Sequence, residues 1–312
     1  MSSPLLLTRS DIRSLISWPA LMQAVREALL LREAQQVATP VSGQVTMPTA
    51  LLHLKAGAVF DPGVISVKAN LRPEGGSATG IVALFDTKAG QVAAILDSAD
   101  VTAMRTAALA ALAVQTLGTP GPKRLALLGA GPVAARIAEV LPSVTTISQA
   151  TVWSRSSARG QSFSAPFPVQ FCETPAAAAR DADIVVTATP SRSAYLHAED
   201  LKPGALVLAL GADSPGKREL GYSVLAKASV IADQREDALR NGESAYLPEA
   251  ERHRVLGDLG AILADKMPLP PRGTDFVVFD SVGSATVDTT VCQALLIAAR
   301  AKGLGSHFNF SA

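Results

Sequence analysis

The sequence predicts an α/β protein with a mixed α/β region first and a parallel sheet second. In residues 124–279, short apolar runs of strand length alternate with helix-like segments, which is typical of parallel strands joined by crossover helices. Before residue 118, strand-like runs follow one another with Gly, Pro and Asp between them. The first region therefore needs an architecture of its own.

The composition fits a globular protein of one large or two ordinary domains. Of its 312 residues, 48% are hydrophobic and 18% are charged, and the net charge of +1 comes without a long run of like charge. Nucleic acid is therefore not an expected partner. Two cysteines, Cys172 and Cys292, and four histidines lack metal-ligand spacing, so no metal site is expected. No secretory pattern and no membrane-length apolar run is found, which favours a cytoplasmic protein.

The first region is predicted to hold a helix, four strands and a second helix. Ser17 and Pro19 mark the start of the first helix, with Leu21, Val25 and Leu29 on its apolar face. The predicted strands span residues 50–60, 64–69, 80–85 and 91–96. Ser98 is predicted to cap a helix of small residues that ends before Gly118.

The second region is predicted to hold seven strands and several connecting helices. The strands span residues 124–128, 151–154, 169–172, 183–187, 205–210, 230–232 and 276–279, and two helices span 175–180 and 219–228. A last helix follows Ser284, with Val287, Val291, Leu295 and Ile297 as apolar members. This helix is expected to return to the first region.

A glycine turn at residues 129–131 is the first sign of a ligand. Gly129 permits a tight turn from strand to helix, Gly131 leaves room for a pyrophosphate, and Ala134 lets the helix pack close to the strand. The start of the helix, at Pro132, presents backbone N–H groups to phosphates. The alternative is an ordinary turn of an α/β protein, but the strand before it and the helix after it favour a dinucleotide site.

The end of the second predicted strand of this region, residues 151–154, bears on which dinucleotide binds. It reads Ser154-Arg155-Ser156, without a carboxylate to accept from the ribose hydroxyls. Ser154 and Arg155 can donate to a ribose phosphate, so NADP(H) is favoured and NAD(H) remains an alternative. Arg155 could also be a solvated loop residue.

Three charged side chains lie among small or apolar neighbours. Lys68 interrupts a largely apolar strand, either as a functional group or as an edge lysine that snorkels to water. Arg105 is predicted near a helix start, where a cation is unfavourable, so it either serves a bound anion or joins an ion pair between domains. Asp213 and Lys217 follow the strand 205–210, at the edge where parallel sheets bind ligands. Asp213 is thus a candidate acid or base, or a helix cap.

Together these segments resemble the ornithine cyclodeaminase and μ-crystallin family. The motifs that carry the resemblance are Val67-Lys68, Met104-Arg105-Thr106-Ala107-Ala108, Gly129-Ala130-Gly131, Gly211-Ala-Asp213-Ser-Pro-Gly-Lys217-Arg-Glu-Leu220 and Phe279-Asp-Ser-Val-Gly-Ser-Ala285. They fall in family order along nearly the whole chain. The resemblance implies a Rossmann domain, residues 118–283, inserted into a substrate-binding and dimerisation domain made of residues 1–117 and 284–312. It also implies a homodimer.

The resemblance further implies roles for individual residues. Lys68 and Arg105 are expected to bind the substrate carboxylate, and Asp213 and Lys68 are the catalytic candidates. The residues expected at the dinucleotide are Ser77 or Thr79, Gly129, Gly131, Pro132, Val133, Ser154, Arg155, Ser156, Thr189, Ala209, Leu210, Gly211, Lys217 and Ser281.

One departure from the family concerns the substrate carboxylate. Many members have an arginine or lysine shortly after a proline in the early strands, as a further carboxylate ligand, whereas this chain reads Thr39-Pro-Val-Ser42-Gly43. A buried charge-assisted contact contributes about 1.5–3 kcal/mol. Its loss favours a substrate other than that of the named cyclodeaminases.

The family exchanges a hydride between a nicotinamide and an α-amino or α-imino acid. The Ser154–Ser156 segment and the missing cation favour net reduction, with Δ1-pyrroline-2-carboxylate as first substrate and Δ1-piperideine-2-carboxylate as second. Asp213, expected in a partly desolvated pocket, would stabilise the iminium or pass a proton to its nitrogen. The alternatives are an ornithine cyclodeaminase, an alanine dehydrogenase-like enzyme, and a non-enzymatic NADPH-binding protein like μ-crystallin, against which the retained Asp213–Lys217 loop argues.

Overall fold

The computed structural model describes residues 3–38, 40–74, 76, 78–271 and 275–309. The chain divides into two units, one made of Met1–Arg105 and Ser284–Ala312 and the other of Thr106–Gly283. A helix, Ser98–Leu117, crosses this division, whereas the sequence predicted a boundary at its end, after residue 117. The predicted domain bounds stay a prediction. In the described ranges, no helix combines the length and apolarity needed to cross a membrane.

The described residues form strands and helices in the alternation that the sequence predicted for the second region. The strands are, in chain order, β1 (Leu5–Leu7), β2 (Val41–Met47), β3 (Ala50–Val59), β4 (Val64–Pro73), β5 (Thr79–Asp86), β6 (Gln91–Asp97), β7 (Lys123–Leu128), β8 (Ile147–Trp153), β9 (Gln170–Phe171), β10 (Ile184–Thr187), β11 (Ala205–Ala209), β12 (Ala228–Ala232), β13 (Val255–Asp258), β14 (Phe276–Asp280) and β15 (Ser306–His307). The α-helices are α1 (Arg9–Ser14), α2 (Trp18–Glu33), α3 (Ser98–Leu117), α4 (Pro132–Val140), α5 (Ser157–Gln161), α6 (Pro175–Ala179), α7 (Tyr222–Leu225), α8 (Arg235–Asn241), α9 (Leu259–Leu263) and α10 (Ala285–Lys302). Short 3-10 helices lie at Leu141–Ser143, Ala198–Asp200, Glu243–Tyr246 and Glu249–Arg254.

The sheet of the first unit has the strand order β15-β1-β6-β5-β4-β3-β2. All its pairs are antiparallel except β1 and β6, which run parallel. One face is covered by α10, which packs against α2, β3 and β4. Val287, Val291 and Leu295 of α10 are buried at a spacing of four residues, as predicted, but Ile297 is 61% exposed. Ile297 lies on the other side of the helix because it is two residues beyond Leu295.

Gly57 is the point at which α10 lies directly on the sheet. A Cβ added to Gly57 would lie 2.8 Å from the carbonyl carbon of Ala285 and 2.9 Å from its oxygen. Because these are backbone atoms, they cannot turn aside as a flexible side chain could. A glycine on β3 thus sets the distance between the helix and the strand.

The opposite face of this sheet carries exposed apolar side chains. Val41, Val45 and Met47 alternate along β2, the edge strand, and all three are more than half exposed. The register continues this face to Leu71 on β4 and Ile81 on β5, which are also exposed. We call these five side chains the apolar edge face. An exposed apolar edge of this kind is typical of an interaction surface.

The sheet of the second unit has the strand order β13-β12-β14-β11-β10-β7-β8-β9, and all its pairs are parallel. Strands β10 and β11 are buried along their whole length, as expected for a parallel sheet covered on both faces. The chain runs outward from β7 to β9 and then returns to β10, on the other side of β7. This reversal creates a topological switch point next to β7. The α/β class with a doubly wound parallel sheet is confirmed.

Several predicted elements differ from the structure. Strands β1, β2, β13 and β15 were not predicted, and the helix predicted over residues 219–228 is reduced to α7. At the start of α3, Asp97 accepts hydrogen bonds from the amides of Ala99 and Asp100, each at 3.1 Å, so Asp97 caps this helix. Ser98, the predicted cap, instead donates its hydroxyl to Asn70.

We expect the Gly57→Ala variant to be about 1–3 kcal/mol less stable than the wild type, because the added methyl group forces α10 away from β3. Gly43→Ala on the neighbouring strand β2 is the matched control, since a Cβ there meets no atom of the described residues within 4 Å. Urea unfolding followed by circular dichroism measures both. Equal stability of the two variants would contradict the proposed close contact.

Candidate functional site

The glycine turn lies at the switch point of the parallel sheet. Gly129 has φ of +130°, and a Cβ on it would lie 2.7 Å from the carbonyl oxygen of Ala188. Its amide donates to the carbonyl of Trp153 at 2.8 Å, while the amide of Ala188 donates to the carbonyl of Leu128 at 2.9 Å. The turn is therefore held between the ends of β8 and β10, in a conformation that requires glycine.

Gly131 has a different environment, which fits a bound pyrophosphate. An added Cβ there would meet no atom of the described residues within 4 Å, so packing within the protein does not explain the glycine. Gly131 is the N-cap of α4, Pro132 follows it, and in the described part of the chain no side chain caps this helix. The first-turn amides, including that of Val133, thus have no side-chain cap and can serve as phosphate donors. The arrangement fits a dinucleotide.

The Ser154–Ser156 segment leaves an arginine exposed at the end of β8. The hydroxyl of Ser156 caps α5 by accepting from the amide of Arg159 at 3.4 Å, and the amide of Ser156 donates to the hydroxyl of Ser154 at 3.4 Å. The two serines thus shape the turn. Arg155 is exposed, and none of the ion pairs among the described residues involves it.

Glu219 connects the loops that follow β10 and β11. One carboxylate oxygen accepts from the amide and the hydroxyl of Thr189, at 2.7 and 2.6 Å, and from the hydroxyl of Tyr195 at 2.8 Å. The other oxygen accepts from the amide of Gly211 at 2.9 Å. Burial raises the pKa of Glu219, although these donors oppose the shift. Glu219 was quoted within a family motif, but the sequence analysis gave it no role.

Further buried carboxylates follow Glu219 along the carboxyl edge of the sheet. Glu243 accepts from the amide of Glu219 at 2.6 Å, and burial together with the charges of Glu219 and Asp280 raises its pKa well above the ordinary value. Asp280 accepts from the amide and hydroxyl of Ser244 at 2.8 and 2.6 Å, yet burial raises its pKa to about 6. We call Glu219, Glu243 and Asp280 the acidic row.

The remaining residues predicted at the cofactor lie at or after the ends of β11 and β14 and at the start of β5. Ala209 ends β11 and Leu210 donates its amide to Thr187 at 2.9 Å. Ser281 donates its amide to the carbonyl of Ala209 at 3.0 Å and its hydroxyl to Asp233 at 2.8 Å. Thr79 begins β5 in the first unit and is exposed. Ser77 lies outside the described residues.

Asp213 and Lys217, which were predicted from one loop, form an ion pair. The hydroxyl of Ser214 also donates to Asp213, at 3.3 Å. The side chain of Asp213 is 47% exposed, so the partly desolvated pocket expected for it is not seen. Asp213 does not cap a helix either, because α7 begins later, with Gly221 as its N-cap.

Lys68 and Arg105 share a buried carboxylate that the sequence analysis missed. Lys68 Nζ lies 2.6 Å from Asp288 Oδ2, and Arg105 Nε lies 3.2 Å from Asp288 Oδ1. All three side chains belong to the first unit and are at most 8% exposed. The sequence signal was a carboxylate among uncharged residues, three positions after Ala285, where the quoted motif ends. We call these three residues the cation cluster.

The structure excludes one alternative for Lys68 and corrects one premise about Arg105. Lys68 lies on β4, between β3 and β5, so it is not an edge lysine that reaches water. Arg105 lies about two turns into α3, where the helix dipole has little effect. Its buried position is explained by Asp288 instead.

The charges in the cluster favour an added anion. Although burial opposes ionisation of Asp288, Lys68 and Arg105 hold its pKa below the ordinary value. Burial lowers the pKa of Lys68 to about 8, with the charge of Arg105 adding to the shift and Asp288 opposing it. Two cations against one carboxylate leave one positive charge in the cluster at neutral pH. A single carboxylate of a ligand would balance it.

With this geometry in place, comparison with known proteins identifies the family. The chain matches the model of the ornithine cyclodeaminase/mu-crystallin family over residues 3–303. It belongs to this family.

Relatives in the family differ in the reactions their names describe. A Delta(1)-pyrroline-2-carboxylate reductase of Bacillus cereus is 27% identical, over 98% of this chain and 100% of that protein. An L-lysine cyclodeaminase of Streptomyces rapamycinicus is 34% identical, over 72% of this chain and 67% of that protein. The solved structure of an archaeal alanine dehydrogenase dimer with bound NAD is 25% identical, with a TM-score of 0.91 over 99% of both chains.

We expect the acidic row to make stability depend on pH. The pKa of Asp280 is about 6 in the folded chain against an ordinary value of 3.8. Between these pH values the folded state binds more protons than the unfolded state, so the free energy of unfolding falls as pH rises from about 4 to about 6. Asp280 alone contributes up to about 3 kcal/mol to this fall.

Urea unfolding of the wild type and Asp280→Asn from about pH 4 to pH 8 measures the effect. The free energy of unfolding of the wild type minus that of the variant should fall as pH rises and level off above about pH 7. Asp61→Asn, at an exposed carboxylate, is the control. A relative stability that stays constant with pH would contradict the assignment.

Proposed function

We propose that this protein is an NAD(P)H-dependent reductase of a cyclic imino acid. The first substrate we propose is Δ1-pyrroline-2-carboxylate, which takes up a hydride and a proton to give L-proline, and Δ1-piperideine-2-carboxylate is the second. The cation cluster carries this proposal, because its one unbalanced positive charge, buried beside Asp288, matches the single carboxylate of such a substrate. The glycine turn at residues 129–131 supports the dinucleotide.

The proposed roles of the residues follow from their charges. When bound, the nicotinamide supplies the hydride to the imine carbon. Lys68 and Arg105 hold the substrate carboxylate, which fixes the orientation of the imine and contributes to rate mainly through positioning. Asp213 stabilises the positive charge of the iminium nitrogen and holds the proton there. Lys68, whose pKa is about 8, is the second candidate for proton transfer.

We propose NADP(H) as the preferred cofactor. Arg155 is exposed at the end of β8, the place at which dinucleotide folds distinguish the two ribose forms. A guanidinium there can form paired hydrogen bonds with the additional phosphate. NAD(H) is the alternative, and it is the cofactor named for the archaeal dehydrogenase structure.

We propose a homodimer formed through the apolar edge face. Its five side chains are exposed on one side of the first unit's sheet. Burying them in an interface with a second copy of the chain would remove apolar surface from water. The description of the archaeal alanine dehydrogenase structure as a dimer supports this proposal. The cytoplasmic location remains a prediction.

The alternative reaction is cyclodeamination of L-ornithine, which the lysine cyclodeaminase relative favours. That reaction forms L-proline and ammonia with the cofactor returned to its starting state. It is distinguished from reduction by ammonia release without net consumption of cofactor.

We expect the wild type to oxidise NADPH in the presence of Δ1-pyrroline-2-carboxylate and Asp213→Asn to lose at least about 100-fold in kcat, because the proton position is lost while the size of the side chain is kept. NADPH oxidation is assayed with a panel of cyclic imino acids and with pyruvate plus ammonia. Ammonia release from L-ornithine is assayed in parallel. Asp237→Asn, at an acid that belongs to α8 and not to the loop, is the control. Near-normal kcat in Asp213→Asn would remove its catalytic role. Dinucleotide binding with no turnover on the panel or on L-ornithine would contradict the enzymatic proposal.

We expect Arg155→Ala to raise the KM for NADPH by about 10-fold or more and to leave the KM for NADH nearly unchanged, because the arginine is proposed to contact only the additional phosphate. Steady-state kinetics with both cofactors measure this, and Arg180→Ala, which is exposed in the same unit, is the control. A wild type that prefers NADH, or a variant with unaltered selectivity, would overturn the NADP(H) assignment.

A further inference from the structure

A cavity of about 140 Å³ lies near the amino ends of the parallel strands, and every residue that lines it belongs to the second unit. The register places Ile184, Leu206 and Val277 side by side on β10, β11 and β14, and all three line the cavity. Each lies at or next to the start of its strand, so the cavity is at the edge of the sheet opposite the glycine turn. The six residues of β7 separate the two edges by about 20 Å, at about 3.3 Å per residue.

A buried lysine lines this cavity. Lys123, the first residue of β7, is only 6% exposed. Its Nζ donates to the hydroxyl of Thr119 at 2.7 Å and to the carbonyl of Pro120 at 3.0 Å. Both acceptors are neutral, whereas an ammonium group has three protons to donate. Of the described side chains, none forms an ion pair with Lys123.

A carboxylate that lines the same cavity is already paired with other groups. Asp183 Oδ1 lies 2.5 Å from Lys202 Nζ, and Asp183 Oδ2 accepts from the amide of Arg124 at 2.8 Å. Although burial opposes the shift, these donors hold the pKa of Asp183 below its ordinary value, and the charge of Lys123 contributes less. The negative charge of Asp183 is therefore matched by Lys202, and within the described ranges the charge of Lys123 has no paired anion.

An anion inside the cavity would supply what Lys123 lacks. Burying an ammonium group costs free energy unless a negative charge compensates it. The two neutral acceptors tie residues 119–120 to β7, but this tie does not account for an open space beside the charge. Most of the remaining wall is apolar, so a ligand that fits needs an apolar body as well as a charge. The apolar wall includes Leu117, Ile184, Leu206, Leu269 and Val277.

We propose that this cavity is a binding site for a small carboxylate with a compact apolar body, whose carboxylate group is bound by Lys123. An apolar cavity of about 150 Å³ takes benzene. A cavity of about 140 Å³ thus fits a ring or a branched chain of about six carbon atoms. The ammonium group would donate its third proton in a charge-assisted hydrogen bond. The lining residues include no member of the cation cluster or the glycine turn, and the inference does not rest on the proposed function.

Methyl NMR at Ile184 tests this site apart from any carboxylate bound at the cation cluster. The chain is labelled with 13C at the δ1 methyl groups of isoleucine, and Ile184→Val identifies the signal. The probes are benzoate and its uncharged analogue benzamide. We expect benzoate to shift the Ile184 signal and to bind about 10- to 100-fold more tightly than benzamide, because only the carboxylate receives a charge-assisted hydrogen bond.

Three variants separate the charge of Lys123 from the shape of the cavity. Lys123→Met removes the charge but keeps a long side chain, so it should weaken benzoate binding by about 10- to 100-fold and change benzamide binding less than about 3-fold. Val277→Phe fills the cavity from β14 and should weaken binding of both probes by at least about 10-fold. Lys227→Met, at an exposed lysine of the same unit, is the control and should leave both affinities unchanged. Circular dichroism and thermal unfolding establish that each variant is folded.

An Ile184 signal that benzoate does not shift in the wild type would overturn the proposal. Equal loss of benzoate and benzamide affinity in Lys123→Met, or unchanged affinity for benzoate, would also overturn it. Lys123 lines a neighbouring cavity of about 400 Å³ that Ile184 does not line. Binding that needs Lys123 but leaves the Ile184 signal in place would therefore locate the ligand there and contradict the proposal. If Lys123→Met does not fold, the preference of the wild type for benzoate and the effect of Val277→Phe decide.

Discussion

The buried contact of Asp288 with Lys68 and Arg105 is the constraint on which the first unit depends. It joins three segments that are far apart in the chain, the strand β4, the helix α3 and the last helix α10. Without the carboxylate, two like charges would be buried near one another, and removing one partner of such a pair costs about 3–5 kcal/mol. The return of α10 to the first sheet is therefore an electrostatic requirement as well as a packing arrangement. The same contact places both cations beside one carboxylate.

The second unit uses buried carboxylates in a different way. Glu219 and Asp280 accept mainly from backbone amides and hydroxyls, and they fix loops at the carboxyl edge of the parallel sheet. The glycine turn at the same edge keeps its helix start open. Glu219 accepts from donors in the loops after β10 and β11, and Asp233 accepts from donors in the loop after β14, while the amides at the start of α4 are left for phosphates. This division explains how an acidic edge can also serve an anionic cofactor.

The sequence predicted the parts of this protein that depend on local patterns. Strand and helix alternation, the Gly129 turn and the apolar positions of α10 near Val287 can all be recognised from spacing alone. Lys68 was selected because it interrupts a largely apolar strand, whereas Arg105 was selected for a position near a helix start that does not explain it. Asp288 required tertiary information, because this partner of the buried Lys68 and Arg105 lies about two hundred residues away from them in the sequence.

The serine at position 42 bears on the substrate, whereas Arg155 bears on the outcome of the reaction. At the level of sequence, serine at position 42 suggested a weaker carboxylate clamp and hence a substrate unlike that of the cyclodeaminases. The proposed net reduction depends on cofactor exchange, and therefore on the proposed role of Arg155, since a redox-neutral cyclisation returns its cofactor and needs no supply of NADPH. In the proposed function, the substrate carboxylate and the outcome of the reaction are thus assigned to residues of separate units, the cation cluster in one and Arg155 in the other.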